Sequence, residues 1–363
     1  MKKPRAIAVR SEDGIVRLIY TTDTMPGYRR HRRGTGFSFL LPDGKALADR
    51  AERRRILSLA VPPAYESVWI CMRQDGHLQA TGIDARGRKQ YRYHPHWHAG
   101  SADRKFGLLP GFAAALPRIR QQVAKALSQP ALTRDRVIAG IVALLDSTGY
   151  RIGNARYEKE NHTFGLSNLL NRHLREVDGQ LTLKFRGKAG KEHLAEIANP
   201  RLVRLVSELQ DLPGQHLFRY EDKEGACHDI GTADVNEWLK EVGGGEYTAK
   251  QFRTWKATVL CARELARELP PDTRTAMERV IRQAIKDTAL RLHHTPATCR
   301  KYYIHPALLA AYRTGDLHTI MHRRPPPLRR TDGTAGLRSD ERRVHKILGL
   351  PQRVRLKGKR DDS

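Results

Sequence analysis

The sequence predicts an α+β protein, with a small β-rich domain over residues 1–100, a larger mainly α-helical domain over 101–322 that includes a small β-hairpin, and a basic Pro/Arg-rich tail over 323–363. Three observations carry this prediction. Residues 1 to about 100 alternate short β-prone runs with turn residues. Beyond about residue 104 the apolar period lengthens to the helical one, about 3.6 residues. One alternating stretch with a Gly-flanked tip interrupts the helical pattern near 181–196.

In the first domain the strand signals are "GFSFLLPDGK", "ESVWICMRQDGHLQATGID" and "KQYRYHPHW", and the Asp-Gly pairs at 43–44 and 75–76 are hairpin-type turns. The clearest helix is "RDRVIAGIVALLDSTG". Val137, Ile138, Ile141, Val142, Leu144 and Leu145 repeat on one face, Thr133 suits the N-cap, and Gly149 marks the stop. Further helices are predicted at 116–127, 200–210, 234–241, 250–269 and 273–292, and "GQLTLKFRGKAGKEHLAEI" is predicted to form the hairpin. The tail reads as mobile or loosely attached, and no internal repeat is present.

Charge narrows the function. The 66 Lys and Arg against 39 Asp and Glu give a net charge of +27 and a pI of about 10.3. No fold requires that excess, and it runs through the whole chain, so the expected partner is a polyanion met over a distributed surface. The four cysteines, Cys71, Cys227, Cys261 and Cys299, have no Cys-x-x-Cys spacing, which argues against a disulfide framework or a zinc site. "MKKPRAIAVRSEDG" lacks the apolar core of a signal peptide, and no apolar run is long enough to span a membrane. A soluble cytoplasmic protein is expected.

One segment carries chemistry. In "HHTPATCRKYYIHP" (293–306) a short helix is expected to begin at the cap Thr295 and Pro296, with Pro306 preventing its continuation, so that Tyr303 is presented near its end. An isolated tyrosine in such a place is ordinarily a packing residue. Four others give it a context: Arg151 after the strongest helix, Lys188 at the hairpin tip, Arg253 in "TAKQFRTWKA", and His294 nine residues before Tyr303. A phenolic oxygen attacking a phosphodiester builds charge on the non-bridging oxygens, which two guanidiniums and an imidazole stabilise. Arg suits the task because it stays charged and offers a planar fork of donors. The leaving 5′ oxygen needs a proton, and a hairpin lysine is a suitable general acid. No metal is required by this chemistry.

These residues lie in "TGYRIGN" (148–154), "FRGKAGK" (185–191), "TAKQFRTW" (248–255) and "HTPATCRKYYIHP" (294–306), and with "GIDARGRKQYRYHPHW" (82–97) they resemble, in order, the motifs of type IB DNA topoisomerases of the compact poxvirus and bacterial kind. The resemblance covers nearly the whole chain except the last thirty-odd residues. It implies that Tyr303 forms a 3′-phosphotyrosyl link, that Arg151 and Arg253 stabilise the transition state, that Lys188 is the general acid and that His294 bonds a non-bridging oxygen. Tyr302 is then the spectator. It also implies two lobes that clamp duplex DNA, a monomer, no cofactor, and DNA contacts by Lys250 and Tyr157. Arg86, Arg88, Lys89, Gln90 and Tyr91 stand where cations interleave with aromatics, a pattern that suits phosphate contact and stacking.

Other features are weaker. His94, His96 and His98 alternate but have no carboxylate or cysteine beside them, so packing or DNA contact is the better reading. Cys227-His228 lies in a loop-like stretch. "GTGF" (34–37) and "GKAGK" lack the setting and spacing of nucleotide loops, so nothing implies ATP. Two rivals remain open: a tyrosine recombinase, which shares the chemistry but usually has His-x-x-Arg where this chain has Lys250-Gln-Phe-Arg253, and a non-catalytic basic architectural protein.

Overall fold

A computed structural model describes residues 6–11, 14–97, 106–177, 179–323 and 336–350. The chain divides into two units, Met1–Phe106 and Gly107–Ser363.

The first unit is built on antiparallel pairing. Strands β1 (Ala6–Ser11) and β2 (Gly14–Ile19) form a hairpin, and a five-stranded sheet runs in the order β4-β3-β5-β6-β7, with β3 Gly27–Arg33, β4 Gly36–Leu40, β5 Glu66–Cys71, β6 Leu78–Ile83 and β7 Lys89–Tyr93. Tyr28 pairs with Ile70 and Ile70 with Ala80, and this row packs with Phe39, Val68 and Ile56 into one core. Ile56 comes from a helix, Arg50–Ser58, that the sequence pattern did not predict. Asp49 caps it by accepting from Ala51 and Glu52 N–H groups. Strand β3, "GYRRHRR", also went unread, since only its first two residues are buried and its neighbours β4 and β5 hold it by backbone pairing. The Asp75-Gly76 turn links β5 to β6. The Asp43-Gly44 turn is tight but leads only to a single bridge between Leu40 and Ala46.

In the second unit, helix Arg134–Thr148 begins with the Thr133 hydroxyl accepting from Arg136 N–H and ends at Gly149, whose φ of 68° is left-handed. Its burial corrects the one-face reading. Arg136, Ala139 and Gly140 are buried along with the six apolar residues, because helices Leu109–Leu127, Pro200–Gln210, Thr232–Gly243 and Ala249–Leu265 all pack on it. Gly140 permits one close crossing, since a Cβ there would lie 2.4 Å from Leu205 Cδ2.

Helix Leu109–Leu127 starts well before residue 116. Pro117 imitates a first-turn proline, but the buried Leu109, Phe112, Ala113 and Leu116 carry the helix through it. Residues 181–196 form the expected hairpin, β9 (Gln180–Arg186) with β10 (Glu192–Glu196), and β8 (Leu174–Val177) extends it to three strands. Cys227 and His228 lie on a strand, β12 (Cys227–Asp229), paired with β11 (Arg219–Glu221), and not in a loop.

After helices Arg274–Arg291 and Pro296–Tyr302, Pro306 opens a further helix, Pro306–Arg313, and Asp316–His322 follows. The expected loose tail is corrected over 336–350. Helix Ser339–Leu348 buries Val344, Ile347 and Leu348, and Arg120 bridges its Glu341 to Asp146 with four contacts of 2.8–2.9 Å. Residues 324–335 and 351–363 lie outside the described residues. Among the described residues, no helix is long and apolar enough to cross a membrane.

Candidate active site

Arg151 is delivered by the chain leaving helix Arg134–Thr148. Its carbonyl accepts from Leu166 N–H at 2.9 Å, and the Ile152 carbonyl from Ser167 N–H at 2.6 Å. This close pairing needs Gly165, where a Cβ would stand 2.4 Å from Gly153 N. Arg253 sits in the second turn of helix Ala249–Leu265, whose start is held by Thr248 N–H donating to Gln251 Oε1. It is 2% exposed. Nε donates to His294 Nε2 at 2.6 Å, Nη1 to the Gly149 carbonyl at 2.6 Å, and Nη2 to the Leu292 carbonyl. Burial, together with Arg151, pushes the Arg253 guanidinium down to about 10, which leaves it charged at neutral pH.

His294 lies between the two arginines. Its Nε2 accepts from Arg253, so in the neutral ring Nδ1 must carry the proton. Nδ1 stands 3.2 Å from Arg151 Nη2. An imidazole N–H and a guanidinium N–H therefore converge on one side of the ring, where an anionic oxygen would accept from both. Burial, with Arg253 and Arg151 beside it, pushes His294 down to about 2, so the neutral form holds across the working pH range.

The Tyr303 ring stacks on His294, with centroids 4.4 Å apart and planes 25° apart, and the Arg253 guanidinium lies 5.5 Å from its centre. Tyr303 terminates helix Pro296–Tyr302, which Thr295 caps. A threonine on the arginine helix fixes the Tyr303 backbone: Thr258 Oγ1 accepts from His305 N–H and shares its proton between the Thr254 carbonyl at 2.8 Å and the Tyr303 carbonyl at 3.2 Å. Tyr302 is exposed and rests against Lys301.

A cavity of about 300 Å³ gathers Arg151, Lys188, Lys250, Arg253 and Tyr303, with Tyr150, Asn154, Thr163 and Phe164 among the other lining residues. Among the described residues four cations line it and no carboxylate does, the composition expected of a site for a polyanion. Lys188 reaches it from the tip between β9 and β10. There Gly187 N–H donates to the Lys191 carbonyl and Gly190 N–H to the Gly187 carbonyl, with Ala189 at a left-handed φ of 63°.

The structure therefore brings together all five residues of the chemical set, and Lys250 with them. Tyr157 is on helix Ala155–Asn161, but its side chain lies outside what the structure describes. The other expected DNA contacts are in the first unit. Arg88 and Gln90 both bond Asp84, Lys89 pairs with Asp23, and Tyr91 is exposed and stacked on Tyr93, with Arg86 exposed in the preceding turn. Three of these five polar or aromatic groups are thus engaged by carboxylates. His94 and His96 stack at 5.2 Å, His98 lies outside the described residues, and no group of three metal-ligating side chains occurs among the described residues. Thr258, Gly165 and the carbonyls of Gly149 and Leu292 were not foreseen, since a mid-helix threonine and backbone acceptors leave no sequence signal.

A tyrosine stacked on a neutral imidazole, within a ring of cations and on a helical unit preceded by a β-rich one, defines a protein built to engage a phosphodiester. Residues 95–318 match the family model of the eukaryotic DNA topoisomerase I catalytic core, and residues 36–84 match that of the bacterial DNA topoisomerase IB N-terminal domain. The chain belongs to the type IB DNA topoisomerases. It is 29% identical over 311 residues to DNA topoisomerase 1B of Acanthamoeba polyphaga mimivirus, covering 84% of this chain and 93% of that protein. It is 24% identical over 237 residues to DNA topoisomerase 1B of Vaccinia virus (strain Copenhagen), covering 63% and 70%, and 24% identical over 251 residues to DNA topoisomerase 1 of Rabbit fibroma virus, covering 66% and 73%. These matches favour the topoisomerase over the recombinase and architectural alternatives.

Proposed function

We propose that this enzyme relaxes positive and negative DNA supercoils by cutting one strand of a duplex, letting the free end rotate, and resealing it, without ATP or a metal ion. In this reading the Tyr303 oxygen, giving up its phenolic proton to solvent, attacks the scissile phosphorus, the P–O5′ bond breaks, and a 3′-phosphotyrosyl ester forms. Arg253 and Arg151 hold the charge that develops on the non-bridging oxygens, and His294 Nδ1–H donates to one of them. Lys188 protonates the departing 5′ oxygen. The ester conserves the bond energy, so the same 5′-OH reseals the strand by attacking the phosphotyrosine. Closure of the two units as a clamp on duplex DNA, a monomeric state and a cytoplasmic location belong to the same proposal.

The observation that supports this most is the cavity in which, among the described residues, Tyr303 meets four cations and no carboxylate. The test is relaxation of supercoiled plasmid in EDTA without ATP, with denaturation to trap protein-linked nicks. Wild type should relax both signs of supercoil and yield trapped nicks. Tyr303→Phe should bind DNA and do neither, and a strict need for ATP or Mg²⁺ in cleavage would overturn the proposal.

A further inference from the structure

His193 on β10 has no part in the chemistry above, yet it is 3% exposed, and three of the segments it touches are each one residue from a group of the site. Gly187, beside Lys188, lies so close that a Cβ there would stand 2.4 Å from the His193 Cδ2 and Nε2 atoms. Tyr150, beside Arg151, meets the ring edge-on with centroids 4.6 Å apart. His293, beside His294, tilts against it at 4.4 Å. Phe185, its partner across the hairpin, stacks on it at 5.0 Å. The Tyr150 hydroxyl also donates to the carbonyl of Leu194, the residue that follows.

Hydrogen bonding at Nδ1 does not account for this placement, because that atom is buried with no partner among the described residues. Proton transfer does not account for it either. Burial, with His293 next to it, pushes the ring down to about 3, so it stays neutral in the working range. What remains is shape: a flat ring filling the point where three segments of the site meet.

We propose that His193 is a positioning residue, whose ring, wedged among Gly187, Tyr150 and His293, sets the hairpin tip so that Lys188 reaches the leaving 5′ oxygen. The inference rests on the reading of Lys188 as general acid. Since Gly187 admits no side chain over the ring, the tip can seat closely on it, and loss of the ring removes the floor beneath Lys188 while Arg253 and Tyr303 keep their own contacts.

The test uses the full chain in single-turnover cleavage of two duplexes that differ at one atom, the bridging 5′ oxygen or a sulfur in its place. A thiolate leaves without being protonated, so the sulfur substrate does not need the acid. Lys188→Ala should lose about 10²-fold or more on oxygen, the usual worth of a general acid, and recover to within about tenfold of wild type on sulfur. His193→Ala should show the same split, on the order of 10-fold to 100-fold slower on oxygen and near wild type on sulfur. His193→Phe keeps the ring and should stay within about threefold of wild type on both.

Equal loss on both substrates by a folded, DNA-binding His193→Ala overturns the inference, as does no loss on oxygen, or a His193→Phe as slow as the alanine variant. If the alanine variant does not fold, His193→Leu, which fills volume without a flat ring, carries the same expectation. If Lys188→Ala is not rescued by sulfur, the general-acid reading fails and the inference falls with it; if Lys188→Ala is rescued and His193→Ala is not, the inference alone fails.

Discussion

Replacing Arg253 with lysine keeps the positive charge and removes the fork that distributes it. A guanidinium carries five N–H donors; three of Arg253's are committed to His294, Gly149 and Leu292, and the group also bonds the Tyr303 side chain. A single ammonium cannot span those three acceptors, so Arg253→Lys leaves at least two of them short of a partner, at about 1–3 kcal/mol for each one that stays dry. At the low end of that range the loss is about 2 kcal/mol in all, or a fall in Tm of roughly 4–8 °C for a unit of this size. The chemical loss should be larger: about 10²-fold to 10³-fold in single-turnover cleavage, the usual worth of one oriented transition-state donor. The assay is covalent-adduct formation on a short duplex at 20 °C, with DNA binding at the same salt and a melting curve recorded for each protein. Cleavage by Arg253→Lys within about threefold of wild type would refute the claim that fork geometry, and not charge, makes this residue effective.

Three further outcomes follow from the same contacts. Tyr302→Phe should cleave within about twofold of wild type, because its exposed ring lies away from the cavity; a loss as deep as that of Tyr303→Phe in the same gel assay would reverse the assignment of the nucleophile. Glu341→Ala should cost about 1–3 kcal/mol in urea titrations, since it leaves the half-buried Arg120 with Asp146 alone and Trp255 Nε1 without its partner; an unchanged midpoint would mean that helix Ser339–Leu348 does not dock in solution. Stability should also fall in acid. Burial pushes His173 down to about 4 and His193 to about 3, both below the unfolded value of about 6.5, so the unfolded chain binds the extra protons and stability is lost as pH drops below about 6.5. Each contributes roughly 1–2 kcal/mol by pH 5, and melts at pH 7.5 and 5 should show a smaller difference for His193→Phe than for wild type.

What the sequence disclosed was the part of the structure governed by local rules. Thr133 and Gly149 bracket a helix whose ends are where those residues place them, and Arg151, Lys188, Arg253, His294 and Tyr303 do meet. What it concealed depends on neighbours distant in the chain. Pro117 looked like a helix start because nothing local reveals that Phe112 and Leu116 are buried before it. The strand "GYRRHRR" has almost no apolar pattern because its strands on either side supply its bonds. Val344, Ile347 and Leu348 are outnumbered by charges, so their helix read as a tail, although Arg120 draws it onto the core. The bonds that seat the neighbours of His294, from Arg253 to the Gly149 and Leu292 carbonyls and from Thr258 to the Tyr303 carbonyl, join residues that no motif relates.

Thr258 has a mechanical implication. It ties the Tyr303 backbone to the same helix that presents Arg253, so the two move as one piece, like two jaws of a fixed-gap gauge. Lys188 stands on a separate three-stranded element. In the proposed reaction, a shift of the hairpin alone would withdraw Lys188 from the 5′ oxygen and slow cutting and resealing together, since one is the reverse of the other, while the spacing between Tyr303 and Arg253 stayed as it is.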